Sequence, residues 1–147
     1  MKKWVSCLLA VALCSCTGSK QQAGQQESGG NTSVKWATFN IRMDTPADSL
    51  NSWKYRRDRV CRYILDKGMD IVGMQEVLHH QLNDLKAGLP GYAAVGVGRE
   101  DGRTKGEYSA IFYRTDRFEL LDSNTFWLSQ YPDSVGSVSY THLRAHE

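Results

Sequence analysis

The stretch Asp70-Ile71-Val72-Gly73-Met74-Gln75-Glu76 decides how this chain is read. An apolar run this short, stopped abruptly by Gln75-Glu76, suits a strand buried on both faces of an α/β sheet. Open α/β folds bind ligands just outside the carboxyl ends of their strands, so Glu76 stands where a metal contact belongs. The competing reading is structural: Glu76 opens the next helix, where a carboxylate offsets the positive end of the helix dipole.

Upstream, Val34 to Ile41 alternates, with Ala37, Phe39 and Ile41 on one strand face and Trp36, Thr38 and Asn40 on the other. Asn40 thereby ends a strand much as Glu76 does. Met43 to Ser52, with Asp44, Pro46, Asp48 and Asn51, has turn chemistry and no period, which predicts a loop over the strand ends. A helix follows over Trp53 to Lys67, with Val60, Tyr63, Ile64 and Lys67 at helical spacing, Asn51 or Ser52 as its cap and Gly68 as its stop. Arg56, Arg57, Arg59 and Arg62 on its other face predict a solvated basic surface in preference to a phosphate site. Cys61, among Val60, Tyr63 and Ile64, reads as a small buried residue and not a nucleophile.

Downstream, Leu78, Leu82, Leu85 and Leu89 recur at helical intervals until Gly88, Pro90 and Gly91 end the run. His79 and His80 are adjacent, so on a helix they point about 100° apart and do not chelate one ion; they read as surface histidines. Tyr92 to Gly98 and Tyr108 to Tyr113 read as neighbouring strands joined by a hairpin-like loop that turns at Asp101-Gly102. The loop's glycines match neither the P-loop nor the dinucleotide pattern. Phe118 to Leu121 and Thr125 to Leu128 read as a further strand pair or one bent strand, broken at Tyr131-Pro132-Asp133. Strand, helix, strand, helix and then several strands predict an α/β fold with a mixed sheet.

The 147 residues, 41% of them hydrophobic, suffice for one core, while a formal net charge of +2 gives no electrostatic argument for a nucleic-acid partner. Residues 1–16 read as a secretory signal: Lys2 and Lys3 lead an apolar core from Val5 to Leu13 that is too short to span a membrane. Cys16, with a small residue before it and a leucine three back, resembles the lipobox acceptor of bacterial lipoproteins, with Cys14 as competitor and a plain secreted protein as the alternative. The expected location is therefore the bacterial cell envelope, with a lipid anchor in the membrane. Removal of Cys7 and Cys14 and lipidation of Cys16 would leave only Cys61, so no disulfide framework is expected. Residues 17–33 are rich in Gly, Ser, Gln and Asn and predict a flexible tether ahead of a domain over 34–137.

Three stretches taken together, Thr38-Phe39-Asn40-Ile41-Arg42, Asp70 to Val77 and Gly106-Glu107-Tyr108-Ser109-Ala110-Ile111-Phe112-Tyr113, closely resemble the endonuclease/exonuclease/phosphatase superfamily. The likeness covers about residues 34 to 131. It is strongest to secreted or lipoprotein members from Bacteroides-type bacteria, which share Gly98-Arg99 and Phe126-Trp127-Leu128-Ser129. The resemblance implies a four-layer α/β sandwich of two mixed sheets with the active site at one end of both. It also implies hydrolysis of phosphoesters with Mg²⁺ or Mn²⁺, on nucleic acids, phospholipid head groups or sugar and inositol phosphates. By motif position Glu76 matches the family's metal-binding glutamate and Asn40 the asparagine beside the ion and phosphate. Tyr108 stands near the place where some nuclease members present a tyrosine to phosphate. Arg42, Arg99 and Glu107 are candidate walls of the site or, equally, loop supports.

The family's later Asn-x-His, Gly-Asp-x-Asn and carboxyl-terminal Asp-His motifs are not found here, so no general base or catalytic residue is assigned. The expectation is an amino-terminal part of a longer, lipid-anchored phosphoesterase, inactive by itself. Residues 138–147 resemble a translated adapter more than the family, and His142, His146 and Glu147 within them mimic metal spacing. A rival expectation is a non-catalytic surface lipoprotein that keeps the fold and binds a ligand without turnover.

Overall fold

The computed structural model of the chain describes residues 33–137. The signal-like segment with Cys16, the tether through residue 32 and the tail 138–147 with His142, His146 and Glu147 lie outside the described residues. In chain order the elements are β1 (Trp36–Asn40), a short 3₁₀ segment (Pro46–Asn51), α1 (Trp53–Lys67), β2 (Ile71–Val77), α2 (His79–Gly88), β3 (Tyr92–Val95) and β4 (Tyr108–Arg114). The four strands form one sheet in the order β1-β2-β4-β3. β1 runs parallel to β2, and β4 is antiparallel to both its neighbours. The fold is therefore α/β with a mixed sheet, as the order of elements predicts.

Helix α1 begins and ends for identifiable reasons. Ser52 takes the N-cap position, but its hydroxyl donates to Ser49 O, and the free Trp53 amide is capped instead by Asp44 Oδ1 at 3.0 Å. At the other end Gly68 adopts φ 57°, a left-handed value that glycine reaches without strain, and the Gly68 and Met69 amides close onto Leu65 O and Ile64 O. Trp53, Val60, Cys61 and Ile64 of α1 join Leu82, Leu85 and Leu89 over one face of the sheet. Val72, Met74, Val77, Tyr108, Ala110 and Phe112 meet them from below. Each large side chain so buried contributes about 1.5–3 kcal/mol.

Several expectations need correction. β2 is buried on one face only: Val72, Met74 and Val77 enter the core, while Ile71, Gly73 and Gln75 are half-buried. No second sheet covers the opposite face among the described residues, so Trp36 remains 75% exposed there. Phe118 to Leu121 and Thr125 to Leu128 are not strands. The Phe118, Thr125 and Trp127 amides donate locally, to Arg114 O, Asn124 Oδ1 and Pro132 O, and Leu121, Phe126 and Leu128 stay exposed because no strand lies beside them to form a ladder. The stretch read as loop, Met43 to Ser52, contains the 3₁₀ segment, opened by Pro46 and by the Thr45 hydroxyl. Tyr63 faces outward, and Arg56 is not part of a free basic face, since its guanidinium binds backbone carbonyls. Cys61 is buried beneath Gly88, as its apolar neighbours predict.

Asp70 ties the amino end of β2 to both neighbouring strands. It is 1% exposed, accepts the Lys35 amide at 2.8 Å, and has Arg117 Nη1 at 2.5 Å and Arg114 Nη1 at 3.6 Å. A buried carboxylate is tolerable only with such partners, and losing them leaves an uncompensated charge. The Lys35 amide first, then the Arg117 and Arg114 guanidinium groups, hold its carboxyl below the ordinary range. The folded value is depressed, so the stability Asp70 contributes is complete above the unfolded carboxylate's pKa of about 3.9 and disappears as pH falls through the lower folded value. Asp70→Asn is expected to lower Tm by several degrees at pH 7 and to flatten its acid dependence. Thermal denaturation between pH 7 and pH 2.5 checks both, and an unchanged acid limb would contradict this role.

Candidate active site

Strand alternation sets up the site by creating a conflict. If β2 were regular, Glu76 would follow Val72 and Met74 into the core. Instead the pairing with β4 shifts between Met74 and Val77, so that β2 carries one residue more than β4 opposite Ser109. This is a β-bulge, a device that re-aims one side chain without ending the strand. Val77 takes the vacated core position at 0% exposure, and Glu76, with φ 60°, turns out of the core to the sheet's end. A non-glycine residue in that left-handed region costs about 1–2 kcal/mol. Arg42 beside it adopts φ 59°, and such positions concentrate at functional sites where the surroundings over-determine them.

Parallel pairing of β1 with β2 brings Asn40 opposite Gln75. Asn40 Nδ2 donates to Glu76 Oε1 at 2.8 Å, and Asn40 Oδ1 accepts the Arg42 amide, also at 2.8 Å. The second bond is an Asx turn, which explains why asparagine ends this strand. Met43 N donates to Glu76 Oε2 at 3.1 Å. Asn40 first and the Met43 amide second, with the Arg42 charge behind them, hold the Glu76 carboxyl below its usual range and therefore ionised at neutral pH.

The remaining candidates gather at the same end but play different parts. Arg42 forks onto Asp48 at 2.8 and 2.6 Å while staying 63% exposed. Tyr108 pairs with Val77, which places Glu107 and Arg99 at this end too; their side chains meet at 3.3 Å and brace the hairpin loop. Gly98 is required in that loop, because a Cβ there would sit 2.3 Å from Lys105 O. Tyr108 is buried at this end of the sheet. It is 3% exposed, and its hydroxyl donates to Arg103 O at 2.7 Å and lies 2.8 Å from His79 Nδ1. These two contacts make it a brace between loop and helix, and desolvation pushes its phenol pKa up. His79 and His80 lie on the surface but are not idle, since His80 Nε2 stands 3.1 Å from Asp44 Oδ2. The Met43 amide was not legible in the sequence, because a backbone donor has no residue signature.

Among the described residues no group of three or more His, Cys, Asp or Glu could hold a metal ion. Glu76 offers a smaller, all-oxygen donor set, supported by Asn40 through Nδ2 while Asn40 Oδ1 accepts the Arg42 amide. Each Glu76 oxygen accepts one hydrogen bond and keeps further lone-pair capacity. That set fits a hard cation of the Mg²⁺ kind, which takes one or two carboxylates and retains waters. Asn40→Ala removes the strongest support of the ionised carboxylate. The Glu76 pKa is expected to rise toward the ordinary glutamate value, as read by carboxyl ¹³C NMR titration; an unmoved midpoint would exclude the Asn40 contact.

Comparison with known proteins identifies the family. Residues 37–132 match the Endonuclease/Exonuclease/phosphatase family. The crystal structure of an endonuclease/exonuclease/phosphatase from Bacteroides vulgatus is 66% identical, with a TM-score of 0.71 over 71% of this chain and 40% of its own. A mannosyl-6-phosphatase from Bacteroides thetaiotaomicron is 45% identical, with a TM-score of 0.69 over 71% of this chain and 40% of its own. The CCR4-Not complex 3'-5'-exoribonuclease subunit Ccr4 of Neurospora crassa is 31% identical over 98 residues, 60% of this chain and 12% of that protein. The chain thus spans 40% of the length of these solved relatives. With the matched segment covering all of the sheet but Trp36, both helices and the Asn40–Glu76 pair, the chain belongs to the Endonuclease/Exonuclease/phosphatase family.

Proposed function

We propose that the protein is a divalent-metal-dependent phosphoester hydrolase and that residues 34–137 supply one side of its metal site. The observation that supports this best is the ionised Glu76 at the bulge, held by Asn40 and the Met43 amide with lone pairs free. Glu76 would hold Mg²⁺ or Mn²⁺ there, and the bound ion would supply Lewis-acid polarisation of a phosphoryl oxygen and charge stabilisation. Glu76 anchors the cation, and Asn40 orients Glu76. Arg42, exposed beside them, has its charge paired with Asp48 and supports the loop that carries the Met43 amide. No side chain among the described residues is assigned as the water-activating base.

Within the phosphoester class, the proposed substrate is a sugar phosphate. The support is the 45% identity to a protein named a mannosyl-6-phosphatase, together with a net charge of only +2. Cys16 is proposed as a lipidated residue that anchors the protein in the cell envelope, on the strength of Lys2, Lys3 and the apolar run Val5 to Leu13.

Glu76→Gln keeps the shape and removes the charge. In the intact enzyme, Mg²⁺-dependent release of phosphate from a hexose 6-phosphate is expected to drop about 100-fold or more, since metal stabilisation supplies several kcal/mol. Undiminished turnover would defeat the proposal. Cys16→Ser is expected to move the protein from the membrane pellet to the soluble fraction and to abolish incorporation of labelled palmitate, and retention with label would refute the anchor.

A further inference from the structure

Gln81 is a buried polar side chain, 0% exposed, on the first turn of α2. Its Oε1 accepts the Leu78 and Asp44 amides, both at 3.1 Å, and its Nε2 donates to Arg42 O at 3.1 Å. The bond to Leu78 is ordinary helix capping. The other two reach out of the helix into the loop that follows β1. Arg56 of α1 approaches the same loop, donating from Nη2 to Arg42 O at 3.1 Å and from Nη1 to Ile41 O at 2.6 Å. One carbonyl, that of Arg42, therefore receives a donor from each helix.

That carbonyl shares a planar peptide unit with the Met43 N–H, which points the opposite way. Holding the oxygen fixes the direction of the N–H, and this N–H is the one that meets Glu76 Oε2 at 3.1 Å. Arg42 at φ 59° would otherwise relax toward ordinary backbone and swing that plane. We propose that Gln81, aided by Arg56, is a positioning residue for the Glu76 carboxylate, acting through the single peptide plane between Arg42 and Met43. The link from an oriented carboxylate to a bound cation rests on the proposed function, while the positioning itself does not.

The test reads the Met43 amide in the ¹⁵N-labelled chain together with Mn²⁺ affinity from water-proton relaxation. Gln81→Met keeps the burial and removes all three bonds. The Met43 amide proton is expected to move upfield and to exchange with solvent at least about tenfold faster, because a charge-assisted hydrogen bond is lost. The Met74 and Phe112 amides should keep their protection. Mn²⁺ affinity should fall about 10–100-fold, the usual effect of losing a partner that orients a metal ligand. Arg56→Lys, at a half-buried position, should shift the Met43 amide in the same direction by less. Leu85→Ala, on the same helix but inside the core, separates positioning from general destabilisation: it lowers Tm and leaves the Met43 amide in place. An unmoved Met43 amide in both polar variants, or an equal shift in Leu85→Ala, would overturn the proposal. A wild-type chain that binds no Mn²⁺ yet shows the Gln81-dependent amide shift would instead remove the metal reading and leave the positioning role standing.

Discussion

A strand that buries every second residue cannot also deliver a carboxylate to its end in the same phase, and the extra residue at Gln75-Glu76 resolves that conflict. Without it Glu76 would follow Met74 into the core, where an unpaired charge costs far more than any contact there could return. With it, Val77 closes the core and Glu76 emerges beside Asn40. The left-handed conformations at Glu76 and Arg42 are the local cost of this arrangement, offset by the bonds to Asn40, Met43 and the backbone of the loop.

The two carboxylates near the ends of β2 show how environment assigns roles. Both are held below their ordinary pKa, but by different neighbours. Asp70 is sealed between two guanidinium groups, so its charge is already matched inside the protein. Glu76 is stabilised by an amide side chain and a backbone N–H, which are dipoles, while nearby Arg42 is engaged by Asp48. Dipoles stabilise an anion without neutralising it. The negative charge at position 76 therefore remains available to an external cation, whereas that at position 70 does not.

The helices and their ends were legible because their signals are local: leucines at 78, 82, 85 and 89, and a glycine at 68 where a left-handed cap was needed. The hairpin between β3 and β4 was legible for the same reason, through Asp101-Gly102. Phe118 to Leu128 has strand composition but no strand, because a strand exists only when another lies beside it to take its hydrogen bonds. Tyr108 was singled out by motif position, while the burial of its ring and the two partners of its hydroxyl were not legible.

Residue order alone determined the α/β alternation with a mixed sheet, and Asn40 and Glu76 as the pair worth watching, since periodicity, caps and motif spacing are properties of short segments. Only the tertiary structure decided which way Glu76 faces, that the Met43 amide holds it, and that Arg56 and Gln81 reach the same carbonyl from two helices. Those outcomes depend on backbone donors, register shifts and the meeting of segments far apart in the chain, none of which has a residue signature of its own.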